Sequence, residues 1–236
     1  PQARARPAGP AALDHMRAHR LPFLLLALSV RAYALATGQT SLVTWNLLAP
    51  QFATRAKYPW ASVRSLSWAV RREAIVRQLA AMDADVLCLQ EIEFELWDDL
   101  HHELQGLGYE GVLQAQRRDH PISTAVLYKR GRLVCVRTES RSRAMIAVIK
   151  ADPGACDVGD GSPLYVGSVH LEAGPQKEEQ RVAQMRSLLK RLRLQAELDG
   201  VTDADVPPIV IAGDCNFDRR SPLHAQLTTG LAPHAA

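Results

Sequence analysis

Four short apolar runs in this chain each end on a polar residue that a buried strand has no structural use for. They are Thr44-Trp45-Asn46, Cys88-Leu89-Gln90-Glu91, Ser168-Val169-His170 and Ala212-Gly213-Asp214-Cys215-Asn216. Runs of this length and composition predict strands, and strand ends converge at one edge of an α/β sheet, where their side chains share a cleft. The pattern therefore constrains the fold class and places the chemistry in one step.

The intervening sequence supplies the helices. Ile75, Leu79 and Met82 recur at helical spacing within residues 66–82, and the run stops at Asp83-Ala84-Asp85. Trp97, Leu100, Leu104 and Leu107 mark a second helix closed by Gly108, and Val182, Met185, Leu189 and Leu192 a third, with a heavily charged, solvated opposite face. Strands are expected at 41–45, 86–90, 124–128, 132–136, 144–149, 164–169 and 208–212. The Lys129-Arg130-Gly131 link predicts a hairpin joining 124–128 to 132–136, and 144–149 should pair with 164–169 across the loop 152–163. With no internal repeat or low-complexity linker, residues 37–236 read as one α/β domain.

Composition excludes several alternatives. A chain of 236 residues, 47% hydrophobic and 22% charged, buries a core without disulfides and is neither fibrous nor disordered. Cys88, Cys135, Cys156 and Cys215 lack zinc-type spacing and read as small apolar residues. Of 28 basic and 25 acidic side chains, five arginines and one aspartate lie in residues 1–36, so 23 and 24 remain for the body. Bulk charge thus makes no case for nucleic-acid binding.

Residues 1–36 read as a leader. Met16 fits an initiator, Arg17 and Arg20 precede the apolar stretch 21–30, and Ala34-Leu35-Ala36 fits a cleavage site. Ten apolar residues are too few for a membrane span, which needs roughly 20, so the expectation is a targeting segment for the secretory pathway or an organelle, outside the fold; the alternative is a buried helix preceding the domain of a cytoplasmic protein.

Two carboxylates, two carboxamides and an imidazole at the strand ends form an oxygen-rich set without thiolate, which favours Mg2+ or Mn2+ over zinc. Hydrolysis of a phosphate ester by this route requires a cation to offset developing charge and a group to orient water. Glu91 suits the first task and Asp214 the second, with Asn46 and Asn216 as neutral donors or ligands and His170 as a donor to phosphate. Singly, the asparagines read as turn residues and His170 as a satisfied histidine; the ordered set at strand ends reverses that reading.

The ordered motifs Trp45-Asn46, Leu89-Gln90-Glu91, Val169-His170-Leu171 and Gly213-Asp214-x-Asn216 resemble the endonuclease/exonuclease/phosphatase superfamily over residues 41–230. Leu66-Ser67-Trp68 followed by Arg71-Arg72, Asp83-Ala84-Asp85, Leu89–Glu93 and Ser221-Pro222-Leu223 are similar to the branch containing carbon catabolite repressor-type deadenylases, nocturnin and angel. The resemblance implies a four-layer α/β/β/α sandwich of two mixed sheets and a metal-dependent phosphodiesterase of RNA 3′ ends or nucleotides. Carried over by motif, it makes Glu91 the magnesium ligand with Asn46 beside it, His170 a phosphate contact, and Asp214 and Asn216 the pair that orients water. Trp68 and Arg72 are expected to touch substrate, although Trp68 lies on a helix whose apolar face would equally bury it. Tyr58, Trp60, Arg55, Lys57 and Arg64 form an aromatic and basic cluster nearby.

The sequence departs from the family twice. Asp119-His120-Pro121-Ile122-Ser123-Thr124 stands where many relatives have a Gly-rich segment, and no closing Asp-His pair occurs by residue 236. The expectation is a second sheet that is incomplete, with an association-prone edge, and a chain that alone is inactive or nearly so. Two other functions share the motifs: a phosphatase or phosphodiesterase acting on a lipid, inositol or nucleotide phosphate, which the leader favours, and a non-catalytic binding domain, which the missing pair favours.

Overall fold

The computed structural model describes residues 28–33, 39–116, 120–155, 162–202 and 208–229. Its elements run β1 (Leu28–Tyr33), β2 (Gln39–Asn46), α1 (Val63–Leu66), α2 (Trp68–Met82), β3 (Val86–Glu93), α3 (Phe94–Gly106), β4 (Tyr109–Leu113), β5 (Ile122–Lys129), β6 (Leu133–Arg141), β7 (Ala144–Ala151), β8 (Leu164–His170), α4 (Glu178–Glu197), β9 (Ile209–Asp214) and α5 (Pro222–Thr229). Two mixed sheets form, ordered β1-β2-β3-β5-β4 and β6-β7-β8-β9. One parallel pair sits in each, β2 with β3 and β8 with β9.

Strand alternation builds the layers. In β3, Val86 and Cys88 face the second sheet and pack with Met145, Ile149 and Val166, while Leu87 and Leu89 face outward onto Ile75 and Leu79 of α2 and Leu100 and Leu104 of α3. Both faces of the strand are covered, so its sequence is apolar without interruption. On the far side, Ile146, Val148 and Tyr165 carry Met185, Leu188 and Leu192 of α4 and Leu223 of α5. Helices, sheet, sheet, helices: this is the four-layer α/β/β/α sandwich.

Four details differ from the sequence reading. The hairpin across Gly131 does not form, because β3 and β4 occupy both edges of β5. The Arg130–Arg132 turn instead carries the chain to the second sheet, with Gly131 at φ 75° and the corner tied down by an Arg132 Nη1 to Asp85 Oδ1 ion pair of 2.5 Å. The expected pairing of 144–149 with 164–169 is present in full register. Within the stretch read as leader, Leu28–Tyr33 lies inside the fold as an edge strand antiparallel to β2. The rest of residues 1–36 lies outside the described residues. Strand β4 was not anticipated. On α4, Leu188 is buried and Leu189 is exposed, because the buried stripe runs Arg181, Met185, Leu188, Leu192.

Cys88 is fully buried and Cys135 and Cys215 half-buried, all as free thiols; Cys156 lies outside the described residues. Burial pushes the Cys88 thiol up to about 12, against a hydrogen bond with Ser168 that pulls it down, and lifts Cys215 to about 11. Such thiols are inert fillers. Among the described residues no helix is long and apolar enough to cross a membrane.

Candidate active site

Parallel pairing places the ends of β2 and β3 side by side, and those of β8 and β9 likewise: Asn46 is in register with Gln90, and His170 with Asp214. The two ends then meet across the sandwich. Asn46 Nδ2 donates to Glu91 Oε1 at 2.9 Å and to Asp214 Oδ2 at 3.0 Å. His170 Nε2 stands 3.7 Å from the same Glu91 oxygen and 3.9 Å from the same Asp214 oxygen, too far for direct hydrogen bonds.

Local backbone devices aim these side chains. Between Leu89 and Ile92 the register of β3 slips, so that Gln90 and Glu91 oppose one residue of β5; this bulge turns Glu91 out of the strand alternation. Leu48, Glu91 and Asn216 are three of the four non-glycine residues with positive φ among the described residues. Such conformations cost free energy and collect where function needs them. Gly213 adopts φ 148°, and a Cβ there would lie 2.0 Å from the Val169 carbonyl oxygen, so only glycine lets β9 approach β8 closely enough to deliver Asp214.

Asp214 is held by its own loop. The Asn216 N–H donates to Asp214 Oδ1 at 3.0 Å, and Asn216 Nδ2 donates to the Leu171 carbonyl at 2.9 Å. Asn216 thus fixes Asp214 through its backbone while its side chain ties the end of β8. Glu91 Oε2 accepts the Ala49 N–H at 2.9 Å, and Asn46 Oδ1 accepts the Leu48 N–H at 3.0 Å. Desolvation lowers the His170 pKa and the nearby Arg143 charge adds to this, outweighing Glu91, Asp214 and Glu172, which favour the cation. The imidazole is therefore neutral at pH 7 and keeps one N–H for an anion.

A cleft of about 800 Å³ opens over this floor, walled by Leu48, Tyr58 and Phe217. Beside His170, Arg143 and Glu172 form a close ion pair, a feature that no sequence motif marked. The only available signal was position: Arg143 lies in the β6–β7 turn and Glu172 two residues beyond the strand-end histidine.

The five strand-end residues are brought together; Trp68 and Arg72 are not. Trp68 packs on the core of the first sheet with its indole N–H buried, and Arg72 pairs with Asp99 at 3.3 Å and Glu103 at 3.0 Å on α3. Opposite charges on the neighbouring helix satisfy Arg72, and the apolar face of α2 claims Trp68, so neither meets the cleft. Tyr58 takes the wall position, in edge contact with the exposed Trp60 at 5.9 Å between centroids.

Among the described residues no three His, Cys, Asp or Glu side chains close into a metal cage. The donors fit a different kind of ion. Two carboxylate oxygens converge on one amide with no thiolate beside them, which suits a hard cation that keeps much of its water and takes one or two protein carboxylates.

The sequence pattern of the endonuclease/exonuclease/phosphatase family matches residues 43–233, most of the chain and all of this cluster. The chain belongs to that family. Human protein angel homolog 1 is 26% identical over 209 residues, covering 81% of this chain and 31% of the relative. The Ccr4 3′-5′-exoribonuclease subunit of the CCR4-Not complex from Candida glabrata is 25% identical over 228 residues, covering 82% and 26%. The chain thus spans about a third or less of these relatives. Among solved structures, ANGEL2, a 2′,3′-cyclic phosphatase in complex with adenosine-2′,3′-vanadate, superposes with a TM-score of 0.71 at 19% identity, over 86% of this chain and 60% of that one. The human nocturnin catalytic domain with bound sulfate gives 0.65 at 19% identity, over 89% and 74%. These structures share the family's sandwich, and the family's members include hydrolases of phosphate esters.

Proposed function

We propose that the protein is a divalent-metal-dependent phosphodiesterase acting on the 3′ end of RNA or on a nucleotide, with water as the attacking group. The observation that carries this reading is the convergence of Glu91 and Asp214 on Asn46 beneath an open cleft, with His170 Nε2 within 4 Å of both carboxylates. Mg2+ or Mn2+, held by Glu91 with Asn46 beside it, would supply charge neutralisation at the phosphate. Asp214, its Oδ1 anchored by Asn216, orients water with its other oxygen and takes up its proton. Neutral His170 donates to a non-bridging phosphate oxygen, and the buried floor strengthens that bond. Tyr58 at the wall offers an aromatic face to a base, and Ccr4, a relative over most of this chain, is by name a 3′-5′ exoribonuclease.

The family's closing Asp-His pair does not occur by residue 236, so turnover by the 236-residue chain itself is slow or nil in this reading. The test is hydrolysis of end-labelled oligo(A) with Mg2+, by this chain and, where the coding sequence extends beyond Ala236, by the longer product. Expected is 3′-end shortening by the longer product, lowered by orders of magnitude in Glu91→Gln. Release of inorganic phosphate from inositol or lipid phosphates, with oligo(A) intact, would install the phosphatase reading instead; oligo(A) binding without turnover by either product would leave a binding domain.

Residues 16–36 are part of the same proposal as a targeting segment. Cleavage after Ala36 would remove β1 and make β2 the edge of its sheet. N-terminal sequencing of the secreted or imported protein decides it.

A further inference from the structure

Arg71 is nearly buried, 8% exposed, on the inner side of α2. Its position explains more than packing. Nη1 donates to two successive carbonyls, those of Leu47 and Leu48, at 2.8 Å each, and Nε donates to Leu66 at 3.3 Å. The Leu47 carbonyl shares a peptide plane with the Leu48 N–H, and the Leu48 carbonyl shares one with the Ala49 N–H. In a trans peptide the C=O and N–H bonds point in opposite directions. On the opposite side of these two planes are the site oxygens: Leu48 N–H meets Asn46 Oδ1, and Ala49 N–H meets Glu91 Oε2.

We propose that Arg71 is a positioning residue for the phosphodiesterase site, orienting through two adjacent peptide units the Asn46 carboxamide and the Glu91 carboxylate. The proposal rests on the reading of those two residues as site groups. Three observations support it. The single nitrogen Nη1 serves both carbonyls, so both planes are set by one group. Leu48 holds φ 57°, a conformation that a leucine keeps only when its surroundings over-determine it, and it is this kink that lets successive N–H groups face the site, as they do in backbone concavities that bind anions. Desolvation lowers the Arg71 pKa, while Glu93 and Glu91 act to raise it; a guanidinium stays charged in such a place, so a full positive charge sits behind the acidic floor. The two Arg71 bonds and the Ala49–Glu91 bond are charge-assisted at one end, the Leu48–Asn46 bond joins neutral groups, and chains of hydrogen bonds of this kind reinforce one another.

A lysine retains the charge and reach but not the planar fork, so it cannot serve the loop and Leu66 together in the same geometry. The experiment therefore compares wild type, Arg71→Lys, Glu91→Gln and the double variant, with Arg71→Met as a second probe. The first readout is NMR on the 236-residue chain and needs no turnover: the amide protons of Leu48 and Ala49, and the side-chain amide of Asn46 between its two carboxylates. In Arg71→Lys these resonances should move toward values of unrestrained amides while those of β7 and α4 stay. The second is steady-state hydrolysis by the longer product, where kcat should fall about 10- to 100-fold, the range for loss of a group that orients a ligand, with KM within about twofold. In the Glu91→Gln background the same substitution should cost little, because the residue through which it acts is already disabled. Leu48, Ala49 and Asn46 resonances unmoved in both folded Arg71→Lys and folded Arg71→Met, the second of which has no donor for the loop, overturn the proposal, as does an equal rate loss in both backgrounds. If instead no variant and no wild type hydrolyses phosphodiesters, it is the functional reading that fails, and the NMR result still decides whether Arg71 orients the pair.

Discussion

Asn46 Nδ2 and Asp214 Oδ2 lie 3.0 Å apart although 168 residues separate them in sequence. Asn46 closes β2 in one sheet and Asp214 closes β9 in the other, so one side-chain bond joins the two halves of the sandwich at the place where the carboxylates gather. Since the same nitrogen also serves Glu91, Asn46→Ala removes the shared donor and leaves two carboxylates facing each other. The expected result is a loss of about 1–3 kcal/mol in stability and of about 10²- to 10³-fold in kcat. Urea unfolding measures the first and phosphodiester hydrolysis the second; a variant with wild-type values of both would mean that the bond does no work.

Glu91→Gln keeps the shape and removes the charge. One of its two carboxyl oxygens becomes an NH2 group facing a donor, Asn46 Nδ2 or the Ala49 N–H, so a stability cost of about 1–3 kcal/mol is expected, too small to unfold most domains. Magnesium-dependent activity should fall by orders of magnitude, while far-UV circular dichroism is unchanged. Retained activity would remove Glu91 from the metal's surroundings.

The strand ends were legible because an asparagine, glutamate, histidine or aspartate at the end of an apolar run has no other ready explanation, and the structure does bring Asn46, Glu91, His170, Asp214 and Asn216 to one place. What the sequence obscured was set by distant partners. The turn at Lys129-Arg130-Gly131 has hairpin chemistry, yet whether β5 pairs with β6 depends on β3 and β4 having already filled its edges. Strand β4 contains Gly111, which weakens a strand signal; the glycine is there because a Cβ would lie 2.6 Å from Leu127 Cγ. Trp68 and Arg72 carried the right motif, but burial on one face of α2 and acids on α3 decided where they point. Arg71 stood in the same motif as a charged residue between apolar ones, and nothing in its local sequence marks it as buried beneath the loop 47–49.

Gly213→Ala should be among the most damaging single-methyl additions in the protein. The strained φ of 148° and a 2.0 Å approach to Val169 O involve backbone on both sides, and neither strand can shift without breaking the β8–β9 ladder. A loss of at least about 4 kcal/mol is expected, together with loss of activity as Asp214 is displaced. Gly131→Ala is the control: its φ is also positive, at 75°, but nothing lies within 4 Å of the added Cβ, so only the left-handed backbone cost of about 1–2 kcal/mol applies. Thermal unfolding of the two variants side by side checks the contrast, and equal shifts in Tm would show that the steric approach is relieved elsewhere.

Acid should loosen α4 from the second sheet through Asp199. The Arg137 guanidinium hydrogen-bonds this carboxylate and, with the Tyr165 hydroxyl donating at 2.8 Å, holds its pKa below the usual aspartate value despite partial burial. Because the folded pKa is depressed, the stabilisation is complete above the unfolded aspartate pKa of about 3.9 and disappears as pH falls through the lower folded value. Arg137 also donates to the Gln195 side chain and carbonyl, so the same group ties β6 to the last turn of α4, and Tyr165 ties β8. Asp199→Asn removes the titrating charge but keeps the side-chain shape. Urea midpoints measured from pH 6 to pH 3 should therefore show wild type well above the variant at the upper end and the gap closing below pH about 4, whereas a gap independent of pH would mean that Asp199 contributes by packing and neutral hydrogen bonding alone.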